Sequence, residues 1–136
     1  MKDKKDVIAL AVGNTYDLVT RTSVTAHPAR APYPRASFSL LIPIQKGGYM
    51  EEIYDVLTIV EISPQDVEKQ KDRLTTGQYA QLKRYHELRS KSFGYSDKNG
   101  AYRFYIMSKR ANIKQPFIRK NIQVSIRLNS SDIPTV

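Results

Sequence analysis

The sequence predicts an α+β domain, a small, mostly antiparallel β-barrel of five or six strands with one or two helices inserted. Three observations lead there. Short apolar or β-branched runs recur between Pro, Gly and Asn breaks. One stretch, residues 63–88, carries helix-start residues and apolar spacings of three and four. No regular alternation of strand and helix marks a doubly wound parallel sheet. At 136 residues, 40% of them apolar and 26% charged, the chain is expected to fold as one domain over 1–136 and to bury a core without disulfides or a structural metal.

The elements follow in order. Val7 to Val12 is a six-residue apolar run closed by Gly13-Asn14, and Leu18 to Thr25 is rich in Val and Thr, so both read as strands. His27 to Arg35 holds three prolines and reads as an extended, exposed loop. Ser37 to Ile44 is a nearly continuous apolar strand in which Pro43 marks a sheet edge or bulge, and Gln45 to Gly48 is the turn after it. Glu52 to Ile62 alternates, with Ile53, Asp55, Leu57, Ile59 and Glu61 on one face. Ser63-Pro64-Gln65-Asp66 supplies an N-cap, a first-position proline and an acidic residue for a helix reaching Leu74. Thr76 caps a second helix with a stripe of Tyr79, Leu82, Tyr85 or His86, and Leu88. The Asn99-Gly100 turn joins a strand near Ser92 to Tyr95 to the strand Ala101 to Ser108. Lys109 to Lys120, broken by Pro116, reads as a basic loop, and Gln123 to Leu128 as the last strand.

The net charge of +9 is unevenly spread. Residues 1–68 hold 7 Lys/Arg against 9 Asp/Glu, a balance of −2, and residues 69–136 hold 15 against 4, a balance of +11. Clustered cations gain counterion-release free energy on a phosphate backbone, so the expected partner is nucleic acid, DNA or RNA. The absence of cysteine excludes thiolate metal sites, disulfides and thiol nucleophiles. The first apolar run is too short for a signal-peptide core and no window suits a membrane span, so the expectation is a cytoplasmic protein with no membrane contact.

Two segments carry a family resemblance. An Arg-Ala-Pro segment enters an apolar strand over Arg30 to Ile44, and the long strand IYDVLTIVEISP follows over Ile53 to Pro64, with a weaker match at Tyr102 to Pro116. This order resembles the PUA-like superfamily, which includes EVE and ASCH domains, and in particular the modules found beside restriction and defence systems. The resemblance implies a β-barrel that binds RNA or DNA, often around a flipped or modified base. An aromatic cage would be expected in EVE-type members, where tryptophan is common; this chain has none.

Two regions supply candidate contacts. Tyr79 to Arg110 interleaves seven aromatic residues with eight cations, a mixture in which cations hold phosphates and ring faces stack on unpaired bases. From it come Arg84, Arg89, Lys91, Tyr95, Arg103, Tyr105, Lys109 and Arg110. Alternation sends Tyr102, Phe104 and Ile106 one way, which makes Arg103 and Tyr105 the expected exposed pair. The second region is the proline-stiffened loop, where Arg30 and Arg35 flank Tyr33 like a clamp. Lys109 and Arg110, with Lys114, Arg119 and Lys120, could form a phosphate-contacting rim.

Catalytic signatures are thin. His27 and His86 lack metal-ligand spacing, and neither GxxxxGK[ST] nor GxGxxG occurs, so no metal and no cofactor is expected. Asp55, Glu61 and Asp66 with Lys69 or Lys71 imitate the acidic pair and lysine of a magnesium-dependent nuclease. Binding without catalysis is the leading reading. A protein-interaction module or appended subunit of a defence complex, with a protein partner, is the alternative, and a small metal-dependent nuclease the third.

Overall fold

Successive residues of the first apolar run point to opposite sides of a sheet, and both sides are filled. Val7 and Ala9 pack with Leu40, Ile42 and Ile44, whereas Ile8 and Leu10 pack with Leu41, Tyr54 and Tyr105. A strand covered on both faces needs no polar alternation, which is why this one reads as continuously apolar. The computed structural model of the chain describes residues 6–96, 100–120, 122 and 124–136. In it six strands form one sheet: β1 (Asp6–Ala11), β2 (Val24–Pro28), β3 (Leu40–Ile44), β4 (Tyr49–Ile62), β5 (Tyr102–Ile118) and β6 (Ser125–Asn129), with helices α1 (Tyr16–Thr22) and α2 (Thr76–Ser92). The strand order is β2-β5-β4-β3-β1-β6. Every neighbouring pair is antiparallel except β1 with β3. Three register shifts between β4 and β5 bend the two longest strands and curl the sheet into an α+β half-barrel with β2 and β6 at its edges.

Several local expectations give way to tertiary structure. Leu18 to Thr25 is not a strand. Leu18, Val19 and Thr22 form the buried side of α1, and the hydroxyls of Thr20 and Thr22 donate to the carbonyls of Asp17 and Leu18. His27, assigned to the loop, lies in β2 opposite Arg103 and is buried. Pro43 sits inside the sheet rather than at its edge. It is tolerated because the β3–β4 ladder registers only Leu40 with Asp55 and Leu41 with Tyr54, so the missing N–H falls beyond it.

Pro64 opens a 3-10 helix that ends at Gln70, short of Leu74. Thr75, not Thr76, caps α2, its hydroxyl accepting from the Gln78 N–H at 3.1 Å. α2 runs on through Ser92, which removes the strand expected near Ser92 to Tyr95, and of the expected Asn99-Gly100 turn Asn99 lies outside the described residues. Lys109 to Ile118 continues β5 instead of forming a loop. Pro116 falls between the pairs Glu52–Asn112 and Met50–Phe117, where β5 bulges and no ladder donor is required. The last strand is β6; Gln123, where it was expected to start, is outside the described residues.

α2 lays Leu82 and Tyr85 against Tyr102, Phe104 and Ile106 of β5. On the other face of β5, Tyr105 and Met107 meet Phe38 and Leu41. β5 is thus enclosed twice. No helix among the described residues is long and apolar enough to cross a membrane.

Candidate functional site

Three segments converge beside β2. β2 supplies His27, the proline-rich loop supplies Tyr33, and the chain leaving α2 supplies Phe93, Gly94, Tyr95 and Ser96. With Arg89 and Tyr102 they line a cleft of about 420 Å³, within the range of small-ligand sites. The N–H groups of Phe93 and Gly94 both bond the Arg89 carbonyl at 2.8 Å, ending α2 and turning Phe93 outward to 51% exposure. Tyr33 stacks on His27, with centroids 5.0 Å apart and planes 8° from parallel.

Arg89 is built into the cleft wall. Its Nε donates to the Gly94 carbonyl at 3.0 Å, and Nη1 donates to the Ala26 carbonyl and the Tyr85 hydroxyl. The guanidinium lies 4.5 Å from the Tyr95 ring centroid and 5.5 Å from that of Tyr102. Burial pushes the phenols of Tyr85 and Tyr95 up, so both stay neutral and cannot offset it. No carboxylate among the described residues pairs with Arg89. The cleft therefore joins ring faces to a positive charge that no described carboxylate pairs.

A buried polar chain runs behind the loop. His27 Nδ1 donates to the Pro28 carbonyl at 2.8 Å, which leaves Nε2 to accept from the Tyr105 hydroxyl at 2.7 Å. Arg103 Nε donates to the same hydroxyl at 3.1 Å, Nη1 to Glu61 at 3.1 Å and Nη2 to the Ala36 carbonyl at 2.9 Å. Burial lowers the His27 pKa first, with a further lowering from nearby Arg103, and raises the Tyr105 phenol to about 12. Burial likewise lowers His86.

The folded chain thus binds fewer protons at the two histidines than the unfolded chain between each folded value and about 6.5. Their contribution to stability is complete above about pH 6.5 and declines as pH falls through that value towards the folded pKa. Thermal melts should fall between pH 7.5 and 5.5, and His27→Gln should flatten that slope. An unchanged slope would remove His27 from the account.

The expected contacts fall into four groups. Tyr33, Arg89 and Tyr95 line the cleft. Arg30 and Arg35 are exposed on the loop beside it, and Arg84 and Lys91 are exposed on α2. Arg103 and Tyr105, expected to be an exposed pair, are buried at 6% and 0% exposure, because the loop and Phe38 cover the second face of β5. Lys109 and Arg110 are exposed but paired, with Glu52 at 2.7 Å and Asp55 at 2.8 Å. The carboxylates suggested for a nuclease do not converge: Asp55 meets Arg110, Glu61 meets Arg103 and Asp66 meets Lys69. Of the large exposed apolar residues, Leu57 lies on β4 and Ile118 at the end of β5, while Phe93 and Val136 lie outside the strands and helices.

His27, Phe93 and Tyr102 line the cleft without having been among the expected contacts, although Phe93 and Tyr102 belong to the aromatic run of residues 79–110. The available signal was the Phe93-Gly94-Tyr95 triplet directly after a helical stripe.

No protein-family model matches the chain, and no curated protein matches it in sequence. Solved structures do match in shape. A serine-to-alanine mutant of the ASCH protein from Zymomonas mobilis superposes with a TM-score of 0.50 at 14% identity, over 90% of this chain and 87% of that one. The chain has an ASCH-type, PUA-like fold. The ASCH protein of Zymomonas mobilis itself gives a TM-score of 0.49 at 13% identity, over 86% of this chain and 81% of that one. Within the ASCH-type fold the aromatic cleft lies where the sheet edge β2 meets the end of α2.

Proposed function

We propose that this ASCH-type domain binds single-stranded nucleic acid, RNA or DNA, without catalysis, by seating one unpaired base in the aromatic cleft. The observation that carries the reading is the pairing of the rings of Tyr33 and Phe93 with Arg89, a cation that no carboxylate among the described residues pairs. A base offers a flat face to the rings and its strand offers anionic phosphate to the cation. Arg30 and Arg35 are exposed on the loop that supplies Tyr33, and Arg84 and Lys91 are exposed on the helix that supplies Arg89, so each adds positive charge to an element that builds the cleft.

Fluorescence anisotropy with single-stranded and duplex oligonucleotides of RNA and DNA tests this. Single strands should bind more tightly than duplex, with affinity falling steeply as salt rises. Phe93→Ala should weaken single-strand binding about tenfold, the worth of one stacked base. The side chain is half exposed, so the variant should keep its fold. No binding at low salt would overturn the function, and wild-type affinity in Phe93→Ala would overturn the cleft assignment.

A further inference from the structure

A second cleft borders the segment leaving β1. It measures about 490 Å³ and is lined by Lys46, Gly47 and Gly48 of the β3–β4 turn and by Arg119 and Lys120 just beyond β5. Ala11 lines both this cleft and the aromatic one, so the two adjoin. Among the described residues no Asp or Glu lines the second cleft. Among the described residues Lys46, Arg119 and Lys120 make no ion pair, whereas Lys109 and Arg110 higher on β5 are neutralised by Glu52 and Asp55.

The three cations are held together by backbone. The Gly48 N–H bonds the Gln45 carbonyl at 2.9 Å, the Gln45 N–H bonds the Tyr49 carbonyl at 2.9 Å, and the Arg119 N–H bonds the Gly48 carbonyl at 3.0 Å. The turn and the end of β5 are therefore tied through backbone hydrogen bonds. Like charges gathered on a fixed frame with no carboxylate between them repel one another unless an anion lies among them.

We propose that this second cleft seats backbone phosphates of the strand whose base occupies the aromatic cleft, a proposal that rests on that reading. The strand then crosses over Ala11, with its base on the Tyr33 and Phe93 side and its phosphates on the Lys46, Arg119 and Lys120 side. Each phosphate neutralised releases counterions, which on a single strand contributes a slope of about −0.7 in log affinity against log salt.

The test measures binding of a ten-residue single-stranded oligonucleotide and an abasic strand of equal length, across a salt series, to wild type, Phe93→Ala and the triple variant K46A/R119A/K120A. The triple variant should bind both strands roughly tenfold more weakly at low salt, with a salt slope less negative by about 1 to 2. Phe93→Ala should weaken only the strand that carries bases and leave its slope unchanged. An unchanged slope in the triple variant, or no binding of the abasic strand by wild type, overturns the phosphate seat. Equal affinity of wild type for the two strands overturns the base cleft and leaves the phosphate seat standing. The side chains removed are exposed, so circular dichroism should show a wild-type fold.

Discussion

Gly48→Ala is expected to destabilise the domain by about 3 kcal/mol or more, whereas Gly47→Ala at the next position costs only about 1 kcal/mol. At both positions an added side chain would meet the same backbone strain, with φ of +88° and +89°. Their surroundings differ. A Cβ on Gly48 would stand 2.1 Å from the Arg119 carbonyl oxygen and 2.9 Å from its carbon, both backbone atoms, while a Cβ on Gly47 meets nothing within 4 Å. Relief at Gly48 requires the end of β5 to separate from the turn, breaking the 3.0 Å bond from the Arg119 N–H to the Gly48 carbonyl. The difference between the two variants in urea melts isolates that steric part. Equal midpoints would show that the turn does not pack on β5 as described.

Arg103→Ala should cost about 3 kcal/mol, which for a chain of this size lowers the melting midpoint by roughly 10 °C. Arg103 is 6% exposed and is the shared donor for Tyr105, Glu61 and the Ala36 carbonyl. Its removal takes from the buried Tyr105 hydroxyl one of its two partners, leaving His27, and takes from the Ala36 carbonyl its guanidinium donor. Glu61 suffers less, being half exposed and free to rehydrate, which keeps the cost below that of a fully buried pair. Lysine cannot restore the three directions from one ammonium, so Arg103→Lys should recover only part of the loss. Because the Ala36 contact ties down the segment that carries Tyr33, the same variants should speed limited proteolysis between residues 29 and 39. Wild-type melting in Arg103→Ala would remove the network from the stability of the fold.

These two residues also mark the border of what the sequence discloses. The alternation of residues 102–106 is legible, and it correctly separates Tyr102, Phe104 and Ile106 from Arg103 and Tyr105. It does not disclose that the second face is covered, because the cover comes from Phe38 and the Ala36 carbonyl, more than sixty residues earlier. β1, the existence of β4 and the first half of β5 were readable from apolar runs and alternation. The single face expected for Ile53 to Glu61 was not kept, because β4 bulges after Ile53 and after Val56, and Ile59 packs with Tyr54 and Val56 while Ile53 packs in the other cluster. α1 was not, since Val and Thr favour strands and the contacts that reverse them, Thr20 to Asp17 and Thr22 to Leu18, exist only once the helix has formed. Of the cleft, Tyr33, Arg89 and Tyr95 stood out as cations and rings in series. His27 did not, because a histidine beside a proline gives no sign of the ring that will stack on it.

The place of β1 has a kinetic consequence. It is flanked by β3 in parallel and by β6, which begins at Ser125, so its two neighbours join it from across some thirty and some 120 positions of chain. Closing such long loops costs entropy before any contact repays it. On the ribosome the first strand waits, one edge unpaired, until nearly the whole domain has emerged, and that open apolar edge is where premature association with another chain would begin.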